Sequence, residues 1–291
     1  MVDEVRCVQQ ANAILGEGPV WCARDNVLYW LDIKRPAVYR YDPERGQTGH
    51  WPLSSEIGCM ALRESGGMVV ALRTGFAYLD LASGVEMAIT DPEADRPDTR
   101  FNDGKVDRRG RFWAGTLHDD ETEPLGSLYR FNPDISCRTM QGGVICANGT
   151  GWSPDDRTMY FTDSVIRTIW AYNFDADNGA ISNRRVFAEV AEGTGYPDGL
   201  TVDADGHVWS AVWDGWRVVR YDPAGRIDRE IEMPVQRPTS CMFGGADLKT
   251  LFVTSASIDL DAEALAIGGS AGGLFAVEVA TPGLPEPRFG N

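Results

Sequence analysis

Residues 99–117 read TRFNDGKVDRRGRFWAGTL, and the first half sets Arg100, Asn102, Asp103, Lys105 and Asp107 just ahead of the apolar run Phe112-Trp113-Ala114. Three other places share its local pattern: EGPVWC from Glu17, NGTGWS from Asn148 and DGLTVD from Asp198. In each, an oxygen-bearing side chain is followed by glycine within two residues, and glycine permits a positive φ and a close backbone approach. Asn-Gly and Asp-Gly are also ordinary turn dipeptides, so a single copy carries little weight. Four copies in phase would bring two carboxylates, Glu17 and Asp198, together with two amide oxygens, Asn102 and Asn148. An all-oxygen set of this kind suits hard divalent cations such as Ca²⁺, Mg²⁺ or Mn²⁺. Zn²⁺ usually takes His or Cys, and His50, His118 and His207 have no paired spacing. A carboxylate-rich site accepts Zn²⁺ as well, which leaves the ion open.

Such convergence needs a repeating scaffold, and the chain supplies one. A unit made of a turn, a short apolar strand, a second strand with Tyr or Trp and another turn recurs with a period of about forty-five residues. Six copies are readable, from RDNVLYWLDIKRPAVYRYDPERG at Arg24 to ADLKTLFVTSAS and GGLFAVEVATPG near the C-terminus. β-Branched and aromatic residues dominate the runs, and Thr168-Ile169-Trp170-Ala171-Tyr172 alternates with period two, as half-buried strands do. The one helical candidate, residues 259–266, is an insertion in the last copy. These units predict an all-β, six-bladed β-propeller with four-stranded antiparallel blades, spanning 1–291 as a single domain. The apolar segment from Val5 to Leu15 precedes the first unit, and it is expected to close the ring as the outer strand of the last blade.

In a propeller the first strand of each blade lines the axis, so equivalent residues of different blades meet there. Stepping back seven positions from the turn of each copy gives Glu17, Gly58, Asn102, Asn148, Asp198 and Ser240. Five of the six are polar and none is bulky and apolar. The register thus brings the oxygen set to one end of the channel.

Composition narrows the classes. The net charge of −16 repels phosphate backbones and anionic membranes, so neither nucleic acid nor a membrane is an expected partner. MVDEVRCVQQ has no apolar signal core, and no apolar run approaches the roughly 20 residues that span a bilayer. Six scattered cysteines without a C-x-x-C read as thiols in a reducing compartment, which predicts a cytoplasmic protein. No large apolar patch or heptad is readable, and a monomer is expected. A serine nucleophile elbow and a phosphate-binding loop are both absent, which disfavours those chemistries.

The chain resembles the gluconolactonase, senescence marker protein (regucalcin) and luciferin-regenerating enzyme family along nearly its whole length. The resemblance rests on LGEGPVW (15–21), RFNDGKVDRRGRFWAGTL (100–117), GSLYR (126–130), NGTGWSPDDRTMYFTDS (148–164) and YPDGLTVDADGHVW (196–209). It implies one catalytic divalent metal (Ca²⁺, Zn²⁺, Mn²⁺, Mg²⁺ or Fe²⁺) on the axis, held by Glu17, Asn148 and Asp198. It also implies substrate contacts at Arg100 and Asn102, with a further acidic contact near Asp120. There LHDDET departs from the family pattern, and His118 is a second departure with a possible hydroxyl contact.

The expected activity is hydrolysis of a small-molecule sugar aldonolactone, such as a xylono-, arabinono-, galactono- or gluconolactone, to its aldonate. In that chemistry the ion polarises the lactone carbonyl and Asp198 takes a proton from water. Arg100 would bind substrate oxygens and counter developing charge. Three other readings compete: a calcium-binding or interaction propeller with a structural metal, a propeller hydrolase of non-sugar esters or phosphotriesters, and a carbohydrate-binding propeller without chemistry. A purely structural ion needs no guanidinium beside it, and Arg100 is what separates the first of these from the lactonase.

Overall fold

Continuous apolarity marks the strands inside each sheet, and loss of it marks the edge. The innermost strands Ile57–Leu62 and Ala147–Trp152 are buried along their whole length. Outer strands such as Gly46–Pro52 and Ile227–Glu232 are largely exposed. A computed structural model describes residues 4–290, and in it 24 strands form six four-stranded antiparallel sheets. The sheets are the blades of a six-bladed β-propeller, as the repeats predict. Their innermost strands, in order, are Gly16–Cys22, Ile57–Leu62, Thr99–Val106, Ala147–Trp152, Tyr196–Val202 and Pro238–Gly244.

The sixth blade draws on both ends of the chain. Pro238–Gly244, Thr250–Ser255 and Leu274–Glu278 are joined by Arg6–Gln9, which pairs with Leu274–Glu278 through Arg6–Ala276 and Cys7–Phe275. The N-terminal segment therefore closes the ring, within the stretch expected to do so. The only helix among the described residues, Ala262–Ile267, lies between two strands of this blade, and the Asp261 carboxylate caps it by accepting from the Ala264 N–H at 2.8 Å. No helix among the described residues is long and apolar enough to cross a membrane. All six cysteines are free thiols.

Neighbouring blades pack through mixed aromatic and aliphatic cores, and their innermost strands approach closely. A Cβ on Gly58 would stand 2.3 Å from the Phe101 carbonyl of the next blade, which explains why blade two places glycine where other blades carry an axial side chain. Blades three and five share a buried anchor. Asp107 accepts from the backbone N–H groups of Arg109 and Arg111, the Arg111 Nε and the Trp113 indole. Asp203 accepts from the N–H groups of Asp205 and His207, the Trp209 indole and Arg220. Each anchor fixes a fully buried tryptophan and the turn after an innermost strand.

Beyond Glu278 the chain crosses the end of the ring remote from Glu17. Gly283 bridges to Asp203 and donates to the Leu248 carbonyl, Phe289 is bonded to Leu62 and Glu64, and Gly290 donates to the Gly110 carbonyl. This strap ties blades five and six to blades two and three. Under it Glu286 borders a void of about 10 Å³ on the axis, with Lys105 and Ser240.

Candidate active site

All six innermost strands slip register against their neighbours near the mouth of the channel. The slips fall between Glu17 and Val20, Ile57 and Cys59, Phe101 and Asp103, Asn148 and Thr150, Pro197 and Leu200, and Pro238 and Cys241. β-Bulges re-aim side chains and recur beside functional sites. Gly58, Asn102, Asp198 and Ser240 lie inside the slips, and Glu17 and Asn148 immediately before them. The irregularity thus coincides with the six positions that the repeat register selects.

Glu17, Arg100, Asn102, Asn148 and Asp198 line one cavity of about 410 Å³, within the range of small-molecule sites. Each of the five is buried, none more than 8 % exposed. The Glu17 carboxylate accepts from the Gly18 N–H at 2.8 Å, a bond that the positive φ of Gly18 (+54°) allows. Asn148 is held by its amide nitrogen, which donates to Ser164 Oγ at 3.0 Å, while that hydroxyl donates to the Pro197 carbonyl at 2.6 Å. This leaves Asn148 Oδ1 buried without a partner, and Asp198 Oδ1 is buried without one too. Asn102 differs: its Oδ1 accepts from Arg100 Nη1 at 2.7 Å and its amide donates to the Ala147 carbonyl at 2.8 Å. The oxygen that the register groups with the other three is therefore engaged by the guanidinium two residues earlier.

The electrostatics are those of a cluster short of positive charge. Burial raises the Asp198 carboxyl well above the ordinary carboxylate range, and the nearby charges of Glu17, Asp103 and Glu121 raise it further. Burial and then Asp103 do the same to Glu17. Burial pushes Asp103 up to about 6. Unpaired buried oxygens are costly unless something satisfies them, and a hard cation would satisfy these at once. Among the described residues no three His, Cys, Asp or Glu side chains form a metal cluster. The third donor available to such an ion is the Asn148 amide oxygen.

A second tier lies two residues nearer the mouth, on the same strands or just ahead of them. Leu15, Arg100, Cys146 and Tyr196 precede Glu17, Asn102, Asn148 and Asp198 by two, and all four line the cavity, as the period of a strand requires. Glu121 lines it from the loop after Phe112–His118, whereas His118 and Asp120 do not. In that loop the Asp120 N–H donates to His118 Nδ1 at 3.3 Å. Asp119 accepts from Arg73 Nη2 at 2.7 Å and stands 3.9 Å from Arg100 Nε. The acidic group facing the cavity is thus one residue beyond the one expected.

Residues 15–257 match the family model described as SMP-30/Gluconolactonase/LRE-like region. The chain belongs to the SMP-30/gluconolactonase/LRE-like family. Members at full length include the 6-deoxy-6-sulfogluconolactonase of Pseudomonas putida, 40 % identical with 99 % of each chain covered. The pentonolactonase of Haloferax volcanii is 38 % identical with 94 % of each chain covered. The crystal structure of a calcium-binding protein, regucalcin, from Agrobacterium tumefaciens superposes with a TM-score of 0.95 at 27 % identity, covering 99 % of this chain and 98 % of that one. The cavity also takes Leu15, Cys146, Ser164, Tyr196 and Trp213, residues that the register argument passed over. A step of two from each axial position would have found Leu15, Cys146 and Tyr196.

Proposed function

We propose that the protein is a metal-dependent hydrolase that opens sugar aldonolactones to aldonates, with residues 1–291 acting as one unit. The observation that carries the reading is the pair of buried, unpartnered oxygens, Asn148 Oδ1 and Asp198 Oδ1, beside the Glu17 carboxylate and under the Arg100 guanidinium. Sugar-lactonase relatives at 38–40 % identity support it, as does the calcium-binding regucalcin neighbour for the ion.

Glu17, Asn148 and Asp198 would hold the ion, which supplies Lewis acidity toward the lactone carbonyl and charge to balance an oxyanion. Ser164 fixes the Asn148 amide so that its oxygen, not its nitrogen, faces the cavity. Asp198 also accepts a proton from the attacking water with its carboxylate. The new C–O bond forms at the carbonyl carbon, the ring C–O bond breaks, and the proton passes to the departing ring oxygen. Arg100 is anchored by Phe101 and Asn102 through one terminal nitrogen, Nη1, and its remaining N–H groups orient substrate hydroxyls. Asn102 acts as the support of Arg100.

The test is a pH-drop assay on chelated protein against aldono-1,4- and 1,5-lactones, with Ca²⁺, Mg²⁺, Mn²⁺, Zn²⁺ or Fe²⁺ restored singly. Acid release that requires an added ion is the expected result. Equal activity in the chelated protein removes the metal from the mechanism, and silence across the panel with ion binding intact leaves a structural-metal propeller.

A further inference from the structure

The two tiers of the cavity differ in chemistry. The lower tier is carboxylates and amides, while Leu15, Cys146 and the Tyr196 ring make the upper tier largely carbon and sulfur apart from Arg100 and the Tyr196 hydroxyl. The Ile33 N–H donates to the Leu15 carbonyl at 3.0 Å, so these two aliphatic groups form one patch on blade one. Tyr196 pairs across strands with Trp213 on blade five. Behind them Arg167 lies 4.7 Å from the Tyr196 ring centre and Arg237 lies 4.6 Å from that of Trp213.

The hydroxyls on this side are engaged by the protein. Ser164 Oγ uses its proton on the Pro197 carbonyl and accepts from Asn148, and the Tyr196 hydroxyl accepts from Arg167 at 3.4 Å. The charged side chains that line the mouth come from blade three, as Arg100 and Glu121.

We propose that the upper tier selects a lactone whose exocyclic end is a methyl group, a 6-deoxyhexonolactone, over the parent with a hydroxymethyl end. This rests on the lactonase reading. The ring hydroxyls face blade three, and the methyl end seats against Leu15, Ile33 and the Tyr196–Trp213 pair. A hydroxymethyl group there loses water against walls that are mostly carbon, a disadvantage of roughly ten- to hundredfold in kcat/KM for a hydrophobic pocket.

The test uses matched pairs differing only at C6, namely galactono- with fucono-1,4-lactone and mannono- with rhamnono-1,4-lactone, on metal-restored protein. The expected result is a deoxy preference of at least tenfold in one pair. Leu15→Asn and Val165→Asn, the latter in a partly exposed turn that lines the same cavity, should each bring the ratio toward one. If Leu15→Asn fails to fold by circular dichroism, Val165→Asn decides. A ratio at or below one in both pairs, or a ratio that a folded variant leaves unchanged, overturns the inference while the lactonase reading stands. No turnover of any lactone with any ion removes that reading, and the inference with it.

Discussion

Asp198 and Asp203 sit five residues apart on the innermost strand of blade five and its turn, both buried, with opposite fates. Asp203 is 0 % exposed and both its oxygens accept bonds, from two backbone N–H groups, an indole and a guanidinium. Asp198 is 5 % exposed and its Oδ1 accepts none. Blade three repeats the contrast, with Asp107 fully bonded and Asp103 pushed up to about 6 by burial. Burial alone therefore does not separate the two kinds of acid. Satisfaction does: the anchored carboxylate is fully bonded inside the protein, and the axial one holds an oxygen that no protein group engages.

The contrast breaks if the two classes of aspartate behave alike when removed. Asp198→Ala should lower lactone turnover by about a thousandfold or more, since it removes a charge made for the transition state, while the circular dichroism spectrum stays that of a folded propeller. Near wild-type turnover at saturating metal would refute the base assignment. Asp203→Ala should do the reverse, costing about 1–3 kcal/mol of stability by leaving the buried Trp209 indole N–H without its acceptor, while Arg220 keeps Asp228. Chemical denaturation measures this loss, and the fraction that remains folded should retain its kcat. Chelation should remove activity reversibly, and restoring ion at a hundred times its Kd should raise stability by about 2.7 kcal/mol. Asp198→Asn should shrink that gain, a difference readable by thermal melts with and without metal.

The smallest effect concerns Asp103. Its folded pKa of about 6 lies above the ordinary value near 3.9. The proton is therefore bound more tightly in the folded chain, and its stabilisation is complete below about pH 4 and lost as pH rises through about 6. In chelated protein, Asp103→Asn should flatten this part of the pH–stability curve, by about 1–2 kcal/mol between pH 4 and 7. An unchanged slope would show that Asp103 is not strained by its surroundings.

Much of this was legible in the chain because a propeller repeats its geometry with its sequence. The period gave the blades, and the turn-to-axis offset found Glu17, Asn102, Asn148 and Asp198, which meet in one cavity because every innermost strand bulges at that offset. What escaped was local. The loop carrying His118 and Asp120 has no periodicity to fix its register, and Glu121 turns inward instead. Asn102 reads as one more oxygen donor until the Arg100 side chain is seen folded back onto it. The upper tier escaped because its residues are apolar and resemble ordinary core, yet strand alternation places them above the polar ones.

The strap over the far end of the ring has a consequence for traffic. With Gly283 and Phe289 pinned to opposite blades and Glu286 beneath them, the channel is a vessel with one door. On the lactonase reading, a neutral molecule entering and an acid leaving must take turns at the same opening, so occupancy by one excludes the other. In a chain of net charge −16, a newly made anion leaves down the electrostatic gradient that its neutral precursor did not feel. A single opening then works as a valve whose direction is set by the charge that hydrolysis creates.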